Sequence, residues 1–200
     1  GIFRDQGFEG IRHHVVDAIV ERPCAAEIAR GFVAGNPGII EIQERGNERP
    51  ETIIEALAPL GEEYLDVLRV GLDPANGWLD LYPHADKRSG AFSASVHGPH
   101  PYVFMNYQNS LDDMSTLAHE FGHALHSYLA MKHQPYSSFR YPPFLAEVAS
   151  TCNESLLSDY LVSTATDPAE KAYLLVERLE TIRTTIFRQT MFAEFERRAH

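Results

Sequence analysis

The stretch Leu117-Ala118-His119-Glu120-Phe121-Gly122-His123 sets two histidines four residues apart in a run of helical spacing. On a helix they lie about 40° apart and one turn along, so both imidazoles can reach a single cation. Neutral imidazole nitrogen suits zinc in a tetrahedral site with an open position, and one zinc per chain is expected. Glu120 falls about 100° from His119, where it can reach a water on the metal without ligating it. The opposite side of the wheel carries Leu117, Phe121, Ala124, Leu125 and Tyr128. One face is thus a core stripe and the other a ligand pair. Gly122 costs ~1 kcal/mol relative to Ala inside a helix, which implies that something approaches this backbone closely. His126 shares the ligand face farther along; it could orient a ligand, face substrate or simply be exposed.

A catalytic zinc needs a third protein ligand. The next predicted helix, from about Phe144 to Ser163, offers Glu147, 24 residues beyond His123. The alternative for Glu147 is an ordinary surface carboxylate; beside a histidine pair the ligand role is preferred. Glu154 is two turns on and shares that face. It is expected to orient a histidine ring by accepting from its other nitrogen, with a solvated carboxylate as the alternative. Ser150 and Thr151 flank this polar stripe, while Leu145, Ala149, Cys152 and Leu156 form an apolar stripe expected to face the core.

Around these helices the 200 residues make one ordinary domain, 44% hydrophobic and 22% charged. Helical spacing recurs at 11–20, 23–32 and 50–70, the last interrupted near Pro59, with a possible strand at 39–42. Trp78–Tyr82, Gly90–Val96 and Tyr102–Asn106 have strand character, the last two as an antiparallel pair around Gly98-Pro99. A last helix is expected after Asp167-Pro168, with Asp167 as N-cap, running unbroken to His200. The fold class is therefore mainly α with a small antiparallel β-sheet. Residues 1–57 are expected to be a helical segment of unclear assignment, and 58–200 the catalytic core. The net charge of −11 opposes binding to nucleic acid or an anionic membrane surface. No apolar run is long enough to span a bilayer. With no secretory signal region and only Cys24 and Cys152 as cysteines, a cytoplasmic location is expected.

HEFGHALH at 119–126 and FLAEVASTCNE at 144–154 together resemble the thimet oligopeptidase and oligoendopeptidase F family of zinc metallopeptidases. DKRSGAFS at 86–93 and PYVFMNY at 101–107 resemble the oligoendopeptidase F branch, and LGEEYL at 60–65 extends the likeness. The resemblance implies a zincin, thermolysin-like metallopeptidase core that cleaves short peptides by a zinc-activated water. His119, His123 and Glu147 would be ligands and Glu120 the general base. It also implies that the stretch from His97 through Gly98 to Pro101 sits near the substrate backbone. Family members are longer and place a carbonyl-polarising Tyr and His pair in a C-terminal region not matched here; Tyr82, His97 and His126 are the only substitutes to suggest. The chain starts at Gly1 and stops within helical spacing at Glu196–His200. It is therefore expected to be a piece of a longer enzyme, weak alone, with an apolar face open to self-association or to a missing C-terminal segment. The rival functions are a zinc- or peptide-binding fragment with little turnover and a purely structural helical domain.

Overall fold

The computed structural model describes residues 49–200. The helices expected at 11–20 and 23–32 and the strand at 39–42 lie outside the described residues. Among the described residues, those up to Thr166 belong to one compact unit and Asp167–His200 to another.

In the first unit, α1 (Arg49–Ala56) leads through a 3-10 turn (Ala58–Leu60) into α2 (Glu62–Leu72). Pro59 and Gly61, at φ +88°, separate the two helices, as the expected interruption requires. Leu65, Leu68 and Leu72 of α2 recur at helical spacing and are buried with Ile53, Ala56 and Leu57. Glu62 and Glu63 in the first turn and Arg69 in the last complement the helix dipole. Asp73 then accepts from the Ala75 N–H at 2.9 Å, and the chain enters a three-stranded sheet through buried Trp78.

The strands are β1 (Leu79–Asp80), β2 (Phe92–Ala94) and β3 (Tyr102–Phe104), in the order β1-β3-β2. β2 and β3 are antiparallel, with Phe92 opposite Phe104 and Ala94 opposite Tyr102, as expected from the turn between them. β1 runs parallel to β3, so the sheet is mixed rather than antiparallel. The cause is the stretch between β1 and β2, long enough to carry the chain to the far side of β3. Lys87 fastens that stretch. Its ammonium donates to the carbonyls of Asp80 and Tyr82 at 3.0 and 2.8 Å, pairs with the Asp80 carboxylate at 2.9 Å and lies over the Phe104 ring. β3 buries Val103, followed by buried Met105, while β2 is left as an edge.

α3 (Leu111–His133) opens with a capping box in which Ser110 and Asp113 satisfy each other's backbone N–H. Its stripe Leu117, Phe121, Ala124 and Leu125 is almost fully buried, with Tyr128 packed beside it. α4 (Pro143–Thr164) packs along α3. Its buried positions are Ser150, Asn153 and Leu157. The apolar stripe expected to face the core is therefore misplaced: Leu145 and Cys152 are exposed, Ala149 and Leu156 half-buried. Ser150 turns inward where the two backbones nearly touch. A Cβ on Gly122 would stand 2.5 Å from Ser150 Cα, 2.8 Å from Ser150 N and 2.9 Å from the Ala149 carbonyl oxygen. Asn153 ties the pair from the side, donating to the Ala118 carbonyl at 3.0 Å and bonding the Tyr64 hydroxyl of α2.

In the second unit Asp167 caps α5 (Pro168–Ile182), accepting from the N–H groups of Ala169 and Glu170. The expected unbroken helix is interrupted by a π-helical turn at Arg183–Phe187 before α6 (Arg188–Ala199). No helix among the described residues is long and apolar enough to cross a membrane.

Gly122→Ala tests the close approach. Ala normally gains ~1 kcal/mol over Gly in a helix, but here it forces the backbones apart, at ~1–3 kcal/mol as overpacking typically costs. The denaturant midpoint of the chain is expected to fall; a rise would show that α3 and α4 are not in contact at this point.

Candidate metal centre

α3 and α4 bring four of the singled-out side chains together. His119 and His123 leave α3 on one face, and Glu147 and Glu154 leave α4 beside the contact line. His119 Nε2 lies 3.1 Å from His123 Nε2. Glu147 Oε2 lies 3.4 Å from the first and 3.5 Å from the second. A tetrahedral zinc with bonds of roughly 2.0–2.1 Å holds its ligand atoms roughly 3.3–3.4 Å apart. The triangle has that size, and this trio is the group of donors with metal-ligand spacing among the described residues.

Both imidazoles are oriented from α4. His119 Nδ1 lies 2.7 Å from Glu154 Oε1, which leaves Nε2 turned toward the trio. The His123 ring donates to the Ala146 carbonyl. Glu147 is steadied by Ser150, whose hydroxyl donates to Oε2 at 2.8 Å. The histidine side chains are about a fifth exposed and Glu147 62%, so the open side of the centre is the carboxylate side.

Burial lowers the pKa of His119, but the hydrogen bond and charge of Glu154, with Glu120 and Glu147, outweigh it and hold the ring above its ordinary 6.5. His123 is pushed below 6.5, by burial first and by the neighbouring His119 next. Glu120 is 7% exposed, and burial raises its pKa above 4.5 against the opposing pull of His119. The Ser93 N–H of edge strand β2 also favours its ionised form. Its Oε2 is buried with no hydrogen-bond partner among the described residues. A buried carboxylate oxygen beside the donor trio, lacking a protein partner, is suited to a water or a substrate proton.

The remaining candidates lie elsewhere. His126 stacks on Tyr141, ring centroids 3.7 Å apart and planes 7° from parallel, with Nδ1 buried and unpaired among the described residues. Burial lowers its pKa. It lines a cleft of about 540 Å³ with Tyr64, Phe139, Arg140 and Tyr141. His97 is exposed, edge-on to Tyr136 and Phe139 of the α3–α4 connection, and Gly98 beside it takes φ +116°. Tyr82 is 66% exposed, next to β1. Sequence reasoning noted Ser150 only as part of a polar stripe and gave Asn153 no role. Their signal was polarity at buried positions three and six residues beyond Glu147.

Comparison with known proteins places these elements in a recognised setting. Residues 41–200 match Peptidase family M3. Oligopeptidase PepF of Bacillus subtilis is 48% identical over 153 residues, which is 76% of this chain and 22% of that protein. An oligoendopeptidase F homolog of Borreliella burgdorferi is 45% identical over 147 residues, 73% of this chain and 25% of that protein. The crystal structure of a provisionally assigned peptidase from Chlamydophila abortus aligns with TM-score 0.70 and 46% identity, over 78% of this chain and 26% of the other. The chain spans about a quarter of the length of the curated relatives it matches.

The electrostatics are open to measurement in the metal-free chain. By imidazole NMR, His119 is expected to titrate above 6.5 and His123 and His126 below it. Because the folded pKa of His119 is raised, its stabilising contribution is complete below the unfolded value and is lost as pH rises through the folded one. Glu154→Gln removes the main raising cause, so the His119 pKa should fall. An unchanged His119 would show that Glu154 does not govern it.

Proposed function

We infer that this chain, which belongs to peptidase family M3 and is homologous to the oligoendopeptidase F peptidases, carries the core of a zinc-dependent oligopeptidase of zincin architecture. One observation carries the reading: His119 Nε2, His123 Nε2 and Glu147 Oε2 converge at metal-ligand spacing beside the buried carboxylate of Glu120. The three side chains would hold one zinc. When bound, that ion supplies Lewis acidity, polarising a peptide carbonyl and lowering the pKa of a water to about 7.

The rest of the chemistry belongs to the chain's own groups. Glu120 Oε2 accepts the proton of the attacking water and returns it to the leaving amine. Its raised pKa strengthens it as a base, and the Ser93 N–H fixes its direction. Glu154 holds a proton at His119 Nδ1, keeping Nε2 free to ligate. Among the described strands β2 is an edge, so an extended substrate would add beside it, next to the carboxylate that Ser93 contacts. The substrate class is short peptides and the location the cytoplasm expected from the sequence. The rival reading is zinc binding with little turnover. Chelator-sensitive kcat/KM on a quenched fluorescent peptide decides between them.

Glu120→Gln keeps size and shape but cannot take the water's proton. Zinc content is expected to stay near normal while cleavage falls by ~10²–10⁴-fold, the usual contribution of a general base. Loss of zinc in this variant would make Glu120 a ligand and overturn the mechanism.

A further inference from the structure

We propose that Ser150 is a positioning residue for the metal centre: its buried hydroxyl holds the Glu147 carboxylate in its ligating direction. The proposal rests on the His119, His123 and Glu147 ligand set. Ser150 is fully buried, and its hydroxyl donates to Glu147 Oε2 at 2.8 Å. That same oxygen faces both histidine nitrogens. A carboxylate oxygen carries two lone pairs, so it can accept from Ser150 and still turn the other toward a cation.

Two details separate this bond from incidental helix geometry. The first concerns the competing acceptor. Serines within helices commonly bond back to the carbonyl of the preceding turn. Ser150 does lie 3.1 Å from the Glu147 carbonyl, but Thr151 Oγ1 already donates to that carbonyl at 2.5 Å. That carbonyl thus has a second hydroxyl donor, and the Ser150 hydroxyl lies nearer the carboxylate than the carbonyl. The second concerns size. The Ser150 backbone abuts Gly122, which lies between the two histidines on α3. With its backbone set against α3, Ser150 carries a short side chain whose hydroxyl reaches the Glu147 carboxylate. Glu147 needs such a restraint because its side chain is 62% exposed, whereas the histidines are sheltered.

The test is zinc affinity, by competition with a chromophoric chelator, in the 200-residue chain with Ser150→Ala, Glu147→Ala and both substitutions. Ser150→Ala is expected to weaken zinc binding by ~10–100-fold, as loss of a partner behind a ligand typically does. In the Glu147→Ala background the same change should cost nothing further, since the side chain it acts on is gone. Thermal unfolding of the metal-free Ser150→Ala chain should match the parent. Parental affinity in Ser150→Ala, or an equal loss in both backgrounds, would overturn the proposal; the second would mean that Ser150 acts through the fold. If Glu147→Ala itself bound zinc as tightly as the parent, the ligand set and the proposal would fall together, a result distinct from failure of Ser150 alone.

Discussion

The near-contact of two helix backbones at Gly122 and Ser150 is the constraint on which the rest depends. With no side chain between them, α3 and α4 lie close enough for groups on one to address groups on the other. Nothing bulky can stand on the contact line, so the chemistry is displaced to its flank. His119 and His123 straddle Gly122 in sequence, and Glu147 and Glu154 straddle Ser150. Each helix thus contributes a pair of side chains one or two turns apart, and the two pairs meet. Asn153 guards the contact at Ala118, and Tyr64 extends the tie to α2, burial holding its hydroxyl pKa up at about 12.

Three carboxylates, Glu120, Glu147 and Glu154, bear on two imidazoles in this partly sheltered space. The imbalance raises the pKa of His119 and contributes to raising that of Glu120. A divalent cation would satisfy the same deficit from the centre of the trio and compete with protons for the imidazole nitrogens. Metal uptake is then coupled to proton release, and acidification opposes it. The protonation pattern of the metal-free chain and the chemistry proposed for the loaded one have a single electrostatic origin.

Much of the site was legible in the chain because helix geometry converts sequence spacing into angle. The wheel put His119 with His123 and Glu147 with Glu154, and Gly122 announced a close neighbour by its cost; that the two pairs meet depends on the packing of α3 on α4. Which side of α4 faces inward was not legible. The wheel separates Leu145 and Cys152 from Ser150 and Asn153 but does not say which group is covered. Apolarity pointed one way, but the close backbone approach at Ser150 and the hydrogen bonds of Asn153 to Ala118 and Tyr64 set the other side inward. The direction of β1 depends on a crossover rather than on local pattern, so a mixed sheet could not be read from alternation at 78–82. His126 shared the ligand face by angle but lies far enough along α3 to meet Tyr141 instead. The π turn at Arg183–Phe187 had no signal in the 3–4 spacing of Leu175, Leu179, Ile182 and Ile186.

The two halves of the centre are not equally rigid. The α3 ligands are half-buried rings, each held by a second bond from α4, at Glu154 for one and at the Ala146 carbonyl for the other. Glu147 is an exposed side chain with several rotatable bonds, and fixing it costs conformational entropy that the rings have already lost to packing. Its one direct restraint among the described hydrogen bonds is the Ser150 hydroxyl. The centre is therefore sheltered on the α3 side and exposed on the Glu147 side. An ion arriving from solvent meets the exposed carboxylate before the sheltered rings. The same contact that forbids a Cβ at Gly122 sets Ser150 where it can hold that carboxylate as a ligand.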